Sequence, residues 1–360
     1  MTTPDLTAGT LPQDLPRDLP PAGAPPEAET PPGEKDSRRR RKVLLIVLLG
    51  TLVSLLLIIA LWYLIFRKPI SILPIPPAPQ AEVPAFSRAI YDLTQPLSVA
   101  VTADGGRLFV TQSAGTQETL MLDAGGTRLG VLKPPSTITG HATQQFVALD
   151  PVSGQVYASD RMAGAVYVYS AQGAFERRFE PGVALPGWQP LALAFDAKGD
   201  LFVSDVGGAA VRIHEFGRDG KLVRDFGATA GLSFPNGLAI DGSGRLYVSD
   251  TNNGRLLVFD SSGAQVGVVG RGPAAGELGL PVGIVIDDRD RVFVVDSVSQ
   301  AVQVYRVLQA GQRGPAYLAS FGREGTVDGA FEFPNGIALD ARGRVYVADW
   351  NNNRVQVWSY

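Results

Sequence analysis

A segment that recurs at nearly constant spacing constrains the fold of this chain more than any other feature. Residues 234–272 alternate short β-prone runs with clusters of Gly, Asp, Asn and Ser, which predicts four strands joined by tight turns. We expect these strands at residues 237–240, 245–248, 256–259 and 265–269. A small sheet of this kind cannot bury its own faces, so it requires neighbouring copies to pack against.

Two aspartates mark each copy of the segment, one ending the first predicted strand and one following the second. The first set is Asp150, Asp196, Asp241, Asp287 and Asp340, and the second set is Asp160, Asp205, Asp250, Asp296 and Asp349, at steps of 45, 45, 46 and 53 residues. A weaker copy with Thr102 and Gln112 precedes them, which makes six units at the period of roughly 40–50 residues expected for propeller blades. Because Asp stabilises turns, we interpret both sets as structural, and we expect Arg255 and Arg354 to brace neighbouring loops.

These motifs resemble the NHL repeat family. Residues 235–241 (Pro-Asn-Gly-Leu-Ala-Ile-Asp), 244–250 (Gly-Arg-Leu-Tyr-Val-Ser-Asp) and 251–256 (Thr-Asn-Asn-Gly-Arg-Leu) carry the likeness, and the same elements recur from Pro334 to Val355. The resemblance covers about residues 84–360 and implies an all-β, six-bladed β-propeller of the NHL type.

The two ends of the repeated region predict how the ring closes. The last copy stops at Tyr360 after its third strand, and a β-prone run at Ala85–Tyr91 precedes the first copy. We predict that this run supplies the missing outer strand of blade six, because pairing it there removes an open sheet edge. The propeller is therefore assigned to residues 85–360.

An apolar segment ahead of the propeller predicts a single transmembrane helix. Residues 43–66 contain no charge, and a helix of 24 residues spans roughly 36 Å, enough for a hydrocarbon core of about 30 Å. More basic residues lie before this segment (Lys35–Lys42) than after it (Arg67 and Lys68), which places the N-terminus in the cytoplasm and the propeller outside. A cleaved signal peptide fits poorly, since the apolar run exceeds the usual length of about 7–15 residues.

Composition separates two further segments from the propeller. Residues 1–42 form a Pro-rich, acidic tail that ends in the basic cluster, and we expect this tail to be disordered. Residues 67–84 form a Pro-rich linker, which predicts a semi-rigid spacer between the helix and the ring.

Composition also excludes several kinds of chemistry. The chain has no cysteine, which excludes thiolate metal sites and Cys nucleophiles. The related peptide-amidating lyases use several histidines on zinc, whereas this chain has only His141 and His214, each expected to be an ordinary surface or partly buried side chain. Residues 85–360 carry 23 Lys and Arg against 27 Asp and Glu, which argues against nucleic acid as a partner.

The candidate site residues lie at the start of the innermost strands and in the loops around them. Gln145, Asn236 and Asn335 would converge at one mouth of the central channel, where their amide oxygens could bind a small polar ligand. Trp188 and Trp350, with Phe234 and Phe333, lie near the loops that join blades. They either anchor a protein partner or fill gaps between blades. We expect no catalytic residue set, no metal ligands and no cofactor.

Two functions from different classes remain open. The first is a membrane-anchored, extracytoplasmic scaffold that binds a protein, peptide or envelope ligand through its loops. The second is an extracytoplasmic hydrolase or lyase with a divalent cation at the channel mouth, as the resemblance to lactonase-like propellers implies. Those propellers use Glu and Asp among their calcium ligands, and no carboxylate occurs at the predicted mouth positions.

Overall fold

The computed structural model describes residues 32–66, 83–134 and 144–360, which form two units: an N-terminal helix, and a propeller. The predictions for residues 1–31, for most of the Pro-rich linker and for His141 lie outside the described residues.

The helix α1 extends from Pro32 to Phe66, so it begins ahead of the predicted apolar segment and includes the basic cluster. Proline is well tolerated in the first turn of a helix, and Arg and Lys are good helix formers, which explains the earlier start. Within α1, Arg39–Tyr63 is long and apolar enough to cross a membrane. Apolar side chains on all sides of this part are exposed, as expected of a helix that lipid would cover.

The propeller consists of six sheets of four strands each, and all strand pairs described are antiparallel. Blade one contains β2 (Pro96–Val101), β3 (Arg107–Gln112), β4 (Thr119–Asp123) and β5 (Arg128–Leu132). Blade two contains β6 (Phe146–Leu149), β7 (Val156–Asp160), β8 (Ala165–Tyr169) and β9 (Phe175–Arg178). Blade three contains β10 (Pro190–Phe195), β11 (Leu201–Asp205), β12 (Arg212–Phe216) and β13 (Leu222–Phe226).

The remaining blades follow the same order. Blade four contains β14 (Pro235–Ile240), β15 (Leu246–Asp250), β16 (Arg255–Phe259) and β17 (Gln265–Val269), with a short 3-10 turn at Thr251–Asn253. Blade five contains β18 (Pro281–Ile286), β19 (Arg291–Asp296), β20 (Ala301–Arg306) and β21 (Ala316–Phe321). Blade six contains β22 (Pro334–Leu339), β23 (Val345–Asp349), β24 (Arg354–Ser359) and β1 (Ala85–Ile90).

The first and last strands of the propeller close the ring. Strand β1 pairs with β24 in a register from Ala85 opposite Ser359 to Ile90 opposite Val355, which confirms the predicted closure. The ring of Phe86 meets that of Trp358 edge-on, with the ring centroids 5.8 Å apart. Both ends of the domain therefore lie in one sheet, and no blade is left with only three strands.

The innermost strands β2, β6, β10, β14, β18 and β22 run from one face of the ring to the other. We call the face where these strands begin the upper face. It carries the loops between blades and the turns between second and third strands. The opposite, lower face carries the other hairpin turns. The hydrophobic core lies between adjacent blades; Tyr247, Leu278 and Tyr305, for example, pack together between blades four and five.

The repeated aspartates accept hydrogen bonds from the backbone of turns and loops, as predicted. Oδ1 of Asp241 accepts hydrogen bonds from the N–H groups of Ser243 (2.9 Å) and Arg245 (3.0 Å), which fixes the turn between β14 and β15. Asp250 is the last residue of β15 rather than a residue after it, because it still pairs with β16. Its Oδ1 accepts the N–H of Ser233 at 2.7 Å, so it holds the loop that enters the same blade.

The two arginines after the Asn-Asn motif brace the same loops, as predicted. Nε of Arg255 donates to Oδ2 of Asp250 at 2.7 Å, and its Nη2 donates to the carbonyl of Ala230 at 2.7 Å. Arg354 makes the equivalent bonds to Asp349 at 2.8 Å and to the carbonyl of Ala330 at 2.8 Å.

Candidate functional site

Two adjoining cavities open at the upper end of the central channel, with volumes of about 450 Å³ and 210 Å³. Both are lined by Leu97, Asn236 and Asn335. The larger one is also lined by Ser113, Thr251, Asn252, Leu280, Val282, Ser297, Phe333 and Trp350, and the smaller one by Gln145, Phe146, Leu191 and Phe234. We call these residues together the channel mouth.

Among the residues that the structure describes, none that lines the channel mouth carries a charge. Its walls are aliphatic and aromatic side chains. The polar side chains that line it are the amides of Asn236, Asn252, Asn335 and Gln145 and the hydroxyls of Ser113, Thr251 and Ser297. Sites for small molecules or for single side chains of a partner have this composition, in which apolar walls supply burial and a few polar groups supply orientation. The mouth therefore suits an uncharged, mainly apolar group.

The structure brings Gln145, Asn236 and Asn335 together, as predicted. Asn236 and Asn335 are the second residues of β14 and β22, at irregularities where the pairing with the next strand shifts register. Gln145 lies directly before β6, and its N–H donates to the carbonyl of Ser159 at 2.8 Å. Its buried Oε1 accepts no hydrogen bond from the residues that the structure describes. Ligand binding by these three amides stays a prediction.

Two phenylalanines at the channel mouth hold an unusual backbone conformation. Phe234 and Phe333 have φ angles of 56° and 51°, in the left-handed region that bulky residues avoid. Each precedes a proline, which itself favours an extended conformation at that position. The N–H of Phe333 donates to Oε1 of Gln300 at 2.6 Å, which helps to hold it there. Such strain costs about 1–3 kcal/mol per residue and is concentrated at functional sites.

Neighbouring side chains hold the aromatic rings at the mouth in place. The side chain of Phe333 is 50% exposed, and its ring lies edge-on to Trp350 with centroids 6.5 Å apart. Nε1 of Trp350 donates to Oγ of Ser113 at 2.8 Å, which fixes the indole across the boundary between blades six and one. The guanidinium of Arg161 lies 5.5 Å from the ring centroid of Phe234.

Trp188, the other residue predicted to bind a partner, does not line the channel mouth. Its ring packs against His214 at 5.7 Å and against Phe216 at 6.2 Å, within the core between blades two and three. This placement matches the alternative interpretation of Trp188, in which it fills a gap between blades. Partner binding by Trp188, which is only partly buried, and by Trp350 stays a prediction.

His214 is more buried than the sequence suggested, with 2% of its surface exposed. It lies on β12, where Nδ1 is 2.7 Å from Oδ1 of Asp225 and Nε2 is 3.4 Å from Oδ2 of Asp205. Burial raises the pKa of Asp205, but hydrogen bonds from His214 and from the N–H groups of Gln189 and Gly207 outweigh it, so this pKa lies below its usual value. His214 therefore belongs to a buried network in blade three and does not reach the channel mouth.

Several lining residues were missed by the sequence analysis although the repeat contains a signal for them. Ser113, Thr251, Ser297 and Trp350 each directly follow the residue in the position of the second repeated Asp, and all four line the larger cavity. Aligning the copies on that Asp would have identified this position as a ring around the mouth. Among residues 32–66, 83–134 and 144–360, no group of three His, Asp or Glu is arranged to hold a metal ion.

Comparison with known proteins supports the repeat assignment in two blades. A family model for the NHL repeat matches residues 232–259 and 331–358, which lie mainly in blades four and six. NHL repeat-containing protein 3 of Mus musculus is 27% identical over 174 residues, which cover 44% of this chain and 48% of that protein. Protein brain tumor of Drosophila melanogaster is 30% identical over 138 residues, covering 37% of this chain and 12% of that protein. The matches thus span about half or less of these relatives.

Solved structures show the same fold at low sequence identity. Streptogramin B lyase superposes with a TM-score of 0.53 at 14% identity, covering 76% of this chain and 96% of that chain. A catalytically inactive variant of virginiamycin B lyase from Staphylococcus aureus, solved with quinupristin, superposes with a TM-score of 0.53 at 17% identity, covering 76% of this chain and 87% of that chain. At such identities the likeness concerns the fold alone.

Proposed function

From the premise that this chain carries NHL repeats in a six-bladed β-propeller, we propose that it is a binding module whose channel mouth receives an apolar side chain of a protein or peptide partner. The observation that carries this proposal is the pair of phenylalanines that line a mouth with no charged side chain among the described residues. Gln95 holds the same left-handed conformation (φ 46°) before Pro96 in blade one, so the conformation belongs to this position of the repeat, whereas the aromatic rings occur there in blades four and six.

Exposed apolar side chains on the upper face support a protein or peptide partner. Met162 (72% exposed), Val298 (63%) and Val327 (59%) lie in turns and loops of that face, together with Phe333. Aromatic and apolar anchors surrounded by polar loops are typical of interface hot spots. An aromatic mouth with such a surround fits a side chain presented by a larger chain better than a free, charged metabolite.

The proposal also concerns the location of the propeller relative to the cell membrane. A helix that could span a membrane precedes the propeller, and its N-terminal side carries most of the flanking basic residues. By the positive-inside rule, the N-terminus would be cytoplasmic and the propeller extracytoplasmic, on a single-pass cell-membrane protein. The binding module would then present its mouth to partners outside the cytoplasm.

A hydrolase or lyase with a divalent cation at the mouth is the second candidate. The fold shared with two lyases favours it, and the clustered amides of Gln145, Asn236 and Asn335 offer oxygen ligands. The uncharged lining counts against it, because cations of this kind are usually bound with carboxylates. We therefore rank binding first.

A site-specific crosslinking experiment tests the proposal. The photoreactive amino acid p-benzoylphenylalanine would replace Phe333 in the full-length protein in its native membrane. We expect a discrete crosslinked partner, which disappears when Trp350→Ala is added. Phe175, 37% exposed on the outer strand β9, is the matched control position and should give no such product.

Two results would contradict binding at the mouth. One is equal crosslinking from the Phe333 and Phe175 positions, and the other is an unchanged product in the Trp350→Ala background. Asn236→Ala with Asn335→Ala separates the two functions, since crosslinking should persist under the binding proposal. Turnover lost in that double variant, and on removal of divalent cations, would instead establish the enzyme.

A further inference from the structure

One position of the repeat carries arginine in four blades but glutamine in blade two, which borders a cavity on the lower face. It is the residue at the start of each second strand, either its first residue or the one directly before it. Its carbonyl accepts the N–H of the first-set Asp or its equivalent, as that of Arg245 does from Asp241 at 3.0 Å. This residue is Arg107, Arg245, Arg291 and Arg344 in blades one, four, five and six. In blade two it is Gln155, whose carbonyl accepts the N–H of Asp150 at 2.9 Å, and in blade three it is Asp200.

The arginines at this position seal the boundary to the following blade. Arg107 donates from Nη1 to the carbonyl of Ala171 in blade two, and Arg245 donates in the same way to Leu308 in blade five. The guanidinium of Arg291 lies 4.0 Å from the ring centroid of Tyr360 in blade six. Each side chain therefore covers the lower end of the cleft between two blades.

Blade two has no such seal, and a cavity of about 410 Å³ opens at its boundary with blade three. Aromatic side chains of Tyr157, Phe179 and Phe195 line its inner part, and Arg177, Arg178 and Arg218 line its outer part. The side chain of Gln155 does not cross the cleft but donates to Oε2 of Glu176 in its own blade. The opening thus coincides with the replacement of the arginine by Gln155 at this boundary.

The acidic groups that line this cavity already have partners. Asp150 accepts hydrogen bonds from the N–H of Val152 (2.9 Å) and from the hydroxyl of Ser153. Asp219 pairs with Lys221, with Nζ and Oδ2 2.8 Å apart. Glu180 lies beside Arg178, with Oε1 3.9 Å from Nε.

Two guanidinium groups at the same cavity have no carboxylate partner among the described residues. Arg177 donates from Nη2 to the hydroxyl of Tyr157 at 3.0 Å, and this contact with a buried tyrosine orients the guanidinium. Arg218 makes no hydrogen bond or ion pair with any residue that the structure describes, and its Nε borders the space above Gly199. Asp150 keeps its negative charge because its hydrogen-bond partners are uncharged, so two guanidinium groups and one carboxylate around the cavity lack an ion-pair partner among the described residues.

We propose that this cavity binds a small organic anion through its phosphate or carboxylate group, held by Arg177 and Arg218. A guanidinium presents a fork of donors that matches both oxyanions and binds them more strongly than neutral groups. The volume lies in the usual range of small-molecule sites, about 300–1,000 Å³, and exceeds the needs of an inorganic ion. The aromatic inner part would then receive the organic portion of the ligand.

Calorimetric titration of the full-length protein in nanodiscs tests this assignment, with phenyl phosphate, benzoate and inorganic phosphate as probes at low ionic strength. We expect phenyl phosphate or benzoate to bind more tightly than inorganic phosphate. Arg177→Gln and Arg218→Gln should each weaken that binding at least tenfold. Arg178→Gln is the matched control and should change it less than threefold, because this guanidinium already donates to the carbonyl of Gly164 at 2.7 Å.

A reciprocal variant tests the origin of the cavity. Gln155→Arg restores the residue of blades one, four, five and six, so it should fill the cleft and abolish anion binding while the melting temperature stays the same or rises. The proposal is overturned if the wild-type protein binds none of the three probes at millimolar concentration, or if the Arg177→Gln, Arg218→Gln double variant binds as the wild type does. Because this site lies on the lower face, Phe333 and Trp350 variants should leave it unaffected.

Discussion

At the scale of single residues, Phe333 combines a strained backbone conformation with a side chain that is exposed to solvent. Its φ of 51° is unfavourable for an aromatic residue, and half of its side chain lies outside the core. Its neighbour Phe331 is fully buried and packs against Trp358 with ring centroids 5.6 Å apart. Two phenylalanines two positions apart thus serve different purposes, one in the core and one at the channel mouth.

Phe333→Gly should leave the free energy of unfolding unchanged or raise it by up to about 1 kcal/mol, since Gly adopts positive φ without strain and little apolar area is lost. The same variant should lose the partner that crosslinks at the mouth. Phe331→Ala is the control and should lower the free energy of unfolding by about 3–5 kcal/mol, because it empties a buried site. Urea denaturation measures both, and a large loss in Phe333→Gly would show that the ring stabilises the fold instead.

At the scale of elements, strand β1 carries the closure of the ring. Ile90 is 3% exposed and packs with Leu93, Leu120 and Val357, so residues from blade six and blade one meet around it. This one strand therefore joins the N-terminal end of the propeller to its last blade and to its first. An outer strand elsewhere in the ring, such as β5, closes nothing of this kind.

Ile90→Ala should lower the free energy of unfolding by about 2–5 kcal/mol, through lost burial and the cavity left behind. Leu129→Ala on β5, where the side chain is 49% exposed, is the control and should change it by less than about 0.5 kcal/mol. Thermal unfolding followed by circular dichroism compares the two. Equal effects would mean that β1 contributes no more than an ordinary outer strand.

At the scale of the whole molecule, two units with different surfaces share one chain. Helix α1 exposes apolar side chains along its central part, whereas the propeller buries its large apolar residues between blades. The absence of cysteine from the sequence makes the orientation of these units in a membrane accessible to labelling.

Single-cysteine variants should report the orientation in intact cells. We expect Ser261→Cys, in an exposed turn of the propeller, to react with a membrane-impermeant maleimide before lysis. Thr3→Cys, in the N-terminal segment, should react only after lysis, because the basic residues before the helix favour the cytoplasm. The opposite labelling pattern would reverse the proposed topology, and labelling of both variants before lysis would argue against a membrane barrier between them.

The sequence by itself determined the number of blades, the turns held by the repeated aspartates, the strand that closes the ring and the helix that could span a membrane. Each of these depends on local patterns: a fixed period, Asp and Gly at turns, and an uninterrupted apolar run. The positions of strand ends differed by a few residues, as for Asp250, because pairing with a neighbouring strand extends an element beyond its local signal.

Only the tertiary structure decided which side chains meet. It placed Trp188, half-buried, against His214, and Trp350 at the channel mouth. It also brought Gln145, Asn236 and Asn335 together from three blades. It also showed a cavity beside Gln155, at a repeat position where Arg107 and Arg245 cross to the following blade. These outcomes depend on packing between residues far apart in the chain, and a local pattern contains no information on which neighbour a side chain will face.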